Sequence, residues 1–165
     1  MIMKRTIITM IMLLSVGSIG GICGALIARK GFLKRIGNVK NNEEKMKEFY
    51  DVLTRWIRMR SPGEQMRVYL LDRGIKKVAI YGMKELGEIL YEELKNSSIK
   101  VEYAIDRDAE YIISDLEVVS PDDKLKEVDA VIVTAIHYYS EIADSLEKKM
   151  KCPIISLEDV IYEMC

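Results

Sequence analysis

From Lys76 onward the chain alternates short apolar runs with amphipathic stretches, and this alternation restricts the fold more than any other feature. Val78-Ala79-Ile80-Tyr81 has no charged residue, as expected of a strand buried on both faces. Gly82-Met83 makes a turn, after which Glu85 to Lys95 sets Leu86, Ile89, Leu90 and Leu94 on one helical face. Val101 to Ile105 predicts a second strand, closed by Asp106, and Glu117 to Val119 a short third one. Ser120-Pro121-Asp122-Asp123 carries a helix-start pattern, a capping serine followed by proline. Ala130 to Ala135 predicts a fourth strand, followed by a helix with Ile142, Ala143, Leu146 and Met150 on one face. Pro153 to Ser156 predicts a fifth strand, and Ser156-x-x-Asp159 opens a last short helix. Repeated strand–helix alternation predicts an α/β fold, a Rossmann-like doubly wound parallel sheet of about five strands over residues 75–165. Right-handed crossovers then favour the strand order 3-2-1-4-5.

Such a sheet binds ligands beyond the C-terminal ends of its strands, where the order reverses. The residues expected there are Gly82, Met83, Lys84 and Gly87 of the first turn, Asp106 after the second strand, and Thr134 and His137 after the fourth. Gly82-x-Lys84-x-x-Gly87 keeps the outer glycines of the dinucleotide-binding turn but has lysine at the middle place. That middle glycine normally lets a pyrophosphate approach the backbone. A lysine crowds the approach, though its ammonium can meet a phosphate. Asp106 falls about where a ribose-binding carboxylate is expected, roughly 20 residues downstream. NAD(P), a nucleotide-sugar, or a purely structural turn all remain open.

The pieces KKVAIYGMKELGEILYEEL, VEYAIDRD, VDAVIVTAI and CPIISLEDVIYE carry a family resemblance over residues 76–161. They resemble the Rossmann-like NAD(P)/nucleotide-sugar-binding domains of bacterial polysaccharide-biosynthesis proteins, similar to the N-terminal domain of sialic-acid-type sugar acyltransferases. The resemblance implies a nucleotide-sugar setting. Lys84 departs from the pattern, and no hexapeptide-repeat β-helix is found in this sequence, so acetyl transfer is not expected of it.

No catalytic group is assigned. His137, the one histidine, sits beside the crevice and could serve as acid or base, or simply as a polar strand end. Tyr138 and Tyr139 follow it without a Tyr-x-x-x-Lys pairing of the dehydrogenase and epimerase kind. Asp106-Arg107-Asp108 reads as a solvated charged turn rather than a metal site. Cys23, Cys152 and Cys165 are odd in number and widely spaced, which predicts reduced thiols and no zinc site.

The first part of the chain is of another kind. Residues 6–28, TIITMIMLLSVGSIGGICGALIA, hold no charge and as a helix would be about 34 Å long. That length suits the roughly 30 Å hydrocarbon core of a bilayer, predicting a retained transmembrane anchor within residues 1–30 that contacts membrane lipid. Arg29, Lys30, Lys34, Arg35 and Lys40 follow the span and only Lys4 and Arg5 precede it, predicting a single-pass protein with a cytoplasmic C-terminal domain. Gly17-x-x-x-Gly21 and Gly20-x-x-x-Gly24 match a helix-pairing pattern and offer a homodimer contact, although glycine is common in such spans anyway.

Residues 31–42 are basic and polar and read as a juxtamembrane linker. Glu43 to Arg60 predicts a helix with Met46, Phe49, Tyr50, Leu53, Trp56 and Ile57 on one face, there to cover the next domain or pair with a second copy. A second helix is expected from the Ser61-Pro62 cap to Asp72, stopping at Gly74, so that residues 43–74 form a helical segment.

The net charge of −1 and the thin scatter of basic and aromatic residues around Arg55–Arg60 argue against a nucleic-acid partner. Two function classes stand first. One is a membrane-anchored cytoplasmic module that binds a nucleotide or nucleotide-sugar in cell-envelope polysaccharide biosynthesis. The other is a non-catalytic interaction or scaffold domain with an empty crevice. A dehydrogenase or epimerase remnant ranks third.

Overall fold

A computed structural model describes residues 37–59 and 62–164. The predicted anchor at 6–28, its glycine pairs, Cys23, Cys165 and the Ser61 cap lie outside these residues. Among the described residues no helix is long and apolar enough to cross a membrane. The chain divides into two compact units at Lys47/Glu48. In the first, residues 37–47 are helical and Lys40 lies 3.9 Å from Glu44, one turn on. Residues 37–42 are therefore helix where a linker was expected. Extending a formed helix by one residue is cheap compared with nucleating one, so the poor helix formers Gly37, Asn38, Asn41 and Asn42 do not stop it.

The second unit carries a five-stranded sheet. Its elements are helix α1 (residues 48–58 of this unit), α2 (Pro62–Asp72), β1 (Lys77–Tyr81), α3 (Glu85–Leu94), β2 (Lys100–Ile105), β3 (Val118–Val119), β4 (Ala130–Val133), α4 (Tyr139–Leu146), β5 (Ile154–Ser156) and α5 (Leu157–Met164). All strand pairs are parallel and the order is β3-β2-β1-β4-β5, as predicted. Every residue of β4 and all but the first of β1 are buried, which explains their unbroken apolar sequence.

The two faces of the sheet are covered unequally. Val78, Ile80 and Ile132 pack under α1, α2, α3 and α5, through Trp56, Met66, Leu90, Leu157 and their neighbours. Ala79, Tyr103, Val131 and Val133 pack under α4, with Leu125 and Val128 of the β3–β4 connection alongside. On α1 the packing stripe is Phe49, Val52, Leu53 and Trp56. Tyr50 and Ile57, expected on it, are 65% and 72% exposed. The buried stripe is thus rotated toward Val52 relative to the predicted one. Helix α2 ends as expected. Gly74 adopts φ +75° and donates to the Leu71 carbonyl at 2.9 Å, while Ile75 donates to Leu70 at 2.9 Å, a pattern that satisfies the last helical carbonyls.

The helix expected after Ser120, between the third and fourth strands, is absent. A single 3-10 turn, Ala109–Tyr111, lies between β2 and β3, and residues 121–128 contain no helix. The capping bonds at Ser120 do form: Asp123 Oδ2 accepts from the Ser120 amide at 2.9 Å and Ser120 Oγ from the Asp122 amide at 3.3 Å. Distance prevents a helix from filling the link. The link from β3 to β4 must cross two strands and return along the sheet, about 19 Å in all. Residues 120–129 as a helix would advance only about 15 Å, whereas an extended chain spans it with room to spare. The Tyr103 hydroxyl holds the extended link by donating to the Lys126 carbonyl at 2.8 Å.

Candidate functional site

The C-terminal ends of β1, β2 and β4 open into a cleft of about 420 Å³. Its floor is the turn after β1. Gly82 has φ +95°, a conformation that side chains resist, and its amide donates to the Ile105 carbonyl at 2.8 Å. A Cβ on Gly82 would come within 2.8 Å of Thr134 Oγ1. One on Gly87 would sit 2.0 Å from the Gly82 carbonyl oxygen, so the first turn of α3 lies against the loop backbone. Thr134 is buried, and its hydroxyl lies 2.6 Å from the Gly82 carbonyl and 3.0 Å from that of Tyr81, tying β4 to the turn.

Asp106 is 6% exposed and was expected near the surface. Its Oδ2 accepts from the Met83 amide at 2.8 Å and its Oδ1 from the Asp108 amide at 2.9 Å. The carboxylate therefore braces two turns from inside. Met83 turns its side chain into the core rather than the cleft. Lys84 stands at the start of α3 in an extended conformation, with its ammonium 3.9 Å from Asp108.

Of the residues expected from sequence, Gly82, Lys84, Asp106, Thr134 and His137 line the cleft together. Met83 and Gly87 do not line it, and act through packing and backbone contact.

Further residues line the cleft. Arg107 reaches Glu141 at 3.3 Å, and the Tyr81 phenol, more than Glu141, holds its guanidinium above the ordinary arginine range. Phe49 enters from α1, and Ile136, Tyr138 and Ile142 form an apolar wall. Arg107 was legible as a charge beside Asp106. Phe49 was legible only as part of a helical stripe, because which end of the sheet α1 covers depends on packing.

His137 lies on a 3-10 turn, Ile136–Tyr138, after β4. Its Nδ1 is 2.8 Å from Glu48 Oε2 of α1. Glu158 of α5 is close enough to feel both. Burial raises its pKa, Glu48 and Asp159 raise it further, and His137 works the other way. A Tyr-x-x-x-Lys spacing does occur, as Tyr91 and Lys95, but neither lines the cleft and Lys95 is paired with Glu92. The arrangement can cradle a polar ligand against a glycine turn, with Lys84 and Arg107 on its rim and the Asp106, Asp108 and Glu85 carboxylates beside them.

Residues 74–153, just under half the chain, match the model of a family described as C2185-like, N-terminal. The match begins at the Gly74 cap and ends before β5, so it holds β1 to β4 and most of the cleft. No curated protein and no solved structure matches the chain.

Proposed function

We propose that this chain is a membrane-anchored, Rossmann-like binding module whose cleft takes a nucleotide or nucleotide-sugar in cell-envelope polysaccharide biosynthesis. The observation that carries this reading is the convergence of the Gly82 turn, the start of α3 and the ends of β2 and β4 on one cleft. Crevices at that position in parallel α/β sheets are where ligands bind. Lys84 and Arg107 supply cations for a diphosphate, and the wall of Ile136, Tyr138 and Phe49 supplies an apolar surface for a base or sugar ring. The anchor at residues 6–28, with its glycine pairs as a homodimer contact, would keep the module at the cytoplasmic face of the membrane.

A second reading, an interaction domain with no small ligand, draws on two observations. The Asp106 carboxylate is already occupied by backbone amides, and Tyr111 and Ile113 are 84% and 101% exposed on the loop before β3.

Titration calorimetry of the full chain in detergent with NAD and a set of UDP-sugars separates the two. The expected result is saturable heat with a UDP-sugar, weakened roughly tenfold or more in Lys84→Gly through loss of a charged hydrogen bond. Heat with NAD alone would change the ligand class, and no heat with any of them would leave the interaction domain.

A further inference from the structure

Helix α1 carries apolar side chains on two faces. Phe49, Val52 and Trp56 pack into the core of the sheet-bearing unit. Tyr50 and Ile57 are left exposed, with Leu53 half-buried between them. Steps of three and four residues put these three on one side of a helix. Single exposed apolar residues are ordinary on a protein surface, so exposure alone means little. The spacing means more. Tyr50 and Ile57 stand seven apart, and the same series runs back in sequence from Leu53 to Met46 and Val39. Met46 and Val39 belong to the helical residues 37–47 and are 68% and 66% exposed. Two interleaved sets of apolar residues, each recurring by sevens, form the seam along which one helix packs on another of the same kind.

Two observations point to the same helix of a second copy as the occupant. Among the described residues, α2 and α5 expose one large apolar residue each, Val68 and Tyr162, and α3 and α4 none, so no other described helix offers a matching series. The second is the length of chain that precedes. Only residues 29–36 separate the uncharged run at 6–28 from the helical residues. Two copies anchored by that run would begin their helices at the same height and in the same direction. Glu43 is the one charged residue in the series, with Lys47 one turn on. A single polar position in such a seam costs stability and fixes its register. Fewer than three heptads make a weak pair between free chains, and tethering compensates by raising the effective concentration.

We propose that the Tyr50–Leu53–Ile57 face of α1 pairs in parallel with the same face of a second copy. The parallel order rests on the anchor proposed above, whereas the exposed face does not.

The test is disulfide cross-linking of the full chain in membranes, in a background with Cys23, Cys152 and Cys165 changed to alanine. A disulfide needs Cα atoms within about 7 Å, which a parallel seam supplies between matching seam positions and denies to the outer face. Tyr50→Cys and Ile57→Cys are each expected to give a dimer in a yield about fivefold or more above that of Asp51→Cys, an exposed position off the seam. Adding Ile57→Asp should lower the Tyr50→Cys yield. All three positions are exposed, so these changes leave the fold in place. Equal yields at the three positions, a bridge at only one of Tyr50 and Ile57, cross-links only to a different protein, no cross-link, or indifference to Ile57→Asp each overturn the pairing. An alkaline wash reads the anchor separately. Cross-linked chain released by the wash keeps the pairing and removes the anchor, and retained chain without a cross-link keeps the anchor and removes the pairing.

Discussion

Asp106 shows how burial changes the meaning of a residue. At the end of β2 its carboxylate stands where a ribose ligand is expected, yet both oxygens accept backbone amides, from Met83 and Asp108. Truncation would leave the Met83 amide buried without a partner, and orphaned buried donors are costly. Asp106→Ala is therefore expected to destabilise the fold by about 2–4 kcal/mol, measured by urea denaturation. A loss below about 0.5 kcal/mol, typical of surface sites, would refute the bracing role. Any loss of ligand binding in that variant has to be separated from loss of the turn itself. Gly87 is constrained just as tightly, by backbone rather than charge, since the Gly82 carbonyl occupies the place of its Cβ.

Between elements, the opposite end of the sheet is clipped by Asp129, just before β4. Its Oδ2 accepts from the Lys76 and Lys77 amides at 2.9 and 2.8 Å, joining β4 to the start of β1. These two amides, Lys76 first, hold its carboxyl below the ordinary aspartate range. A depressed carboxyl pKa stabilises the fold at pH above its unfolded value, and that share is lost as pH falls through the folded value. Asp129 is exposed, so solvent screening reduces the effect. Asp129→Ala is expected to cost about 1 kcal/mol at pH 7. The gap to wild type should shrink once the pH falls below 3.8, the ordinary value. Urea denaturation at pH 7 and pH 3 checks this, and an equal gap at both would show that charge plays no part in the clip.

For the whole molecule, the open question is where the sheet-bearing unit is held. The uncharged run at 6–28 and the basic residues after it predict an integral anchor with the C-terminal domain in the cytoplasm. Full-length chain should stay with membranes through an alkaline wash, and protease added to intact spheroplasts should leave residues 43–165 uncut. Release by the wash removes the anchor, and cleavage within 43–165 reverses the orientation. Tethering would also raise the local concentration of the module near membrane-bound partners, the advantage a weak binding site gains from an anchor.

Sequence alone determined those features whose signal lies within a few adjacent residues. The apolar runs of β1 and β4, the Gly74 stop of α2 and the Gly82 turn could be read from spacing, and parallel crossover rules then ordered the sheet. Tertiary structure decided whatever depended on distant groups. The span between β3 and β4 was too great for a helix, although Ser120 and Asp123 form the cap for one. Burial turned Asp106 inward, and the docking of α1 brought Glu48 to His137, 89 residues away in sequence. Periodicity can show that a helix has an apolar face, but not which end of the sheet that face will cover. Such contacts come from three-dimensional packing, which local propensity does not encode.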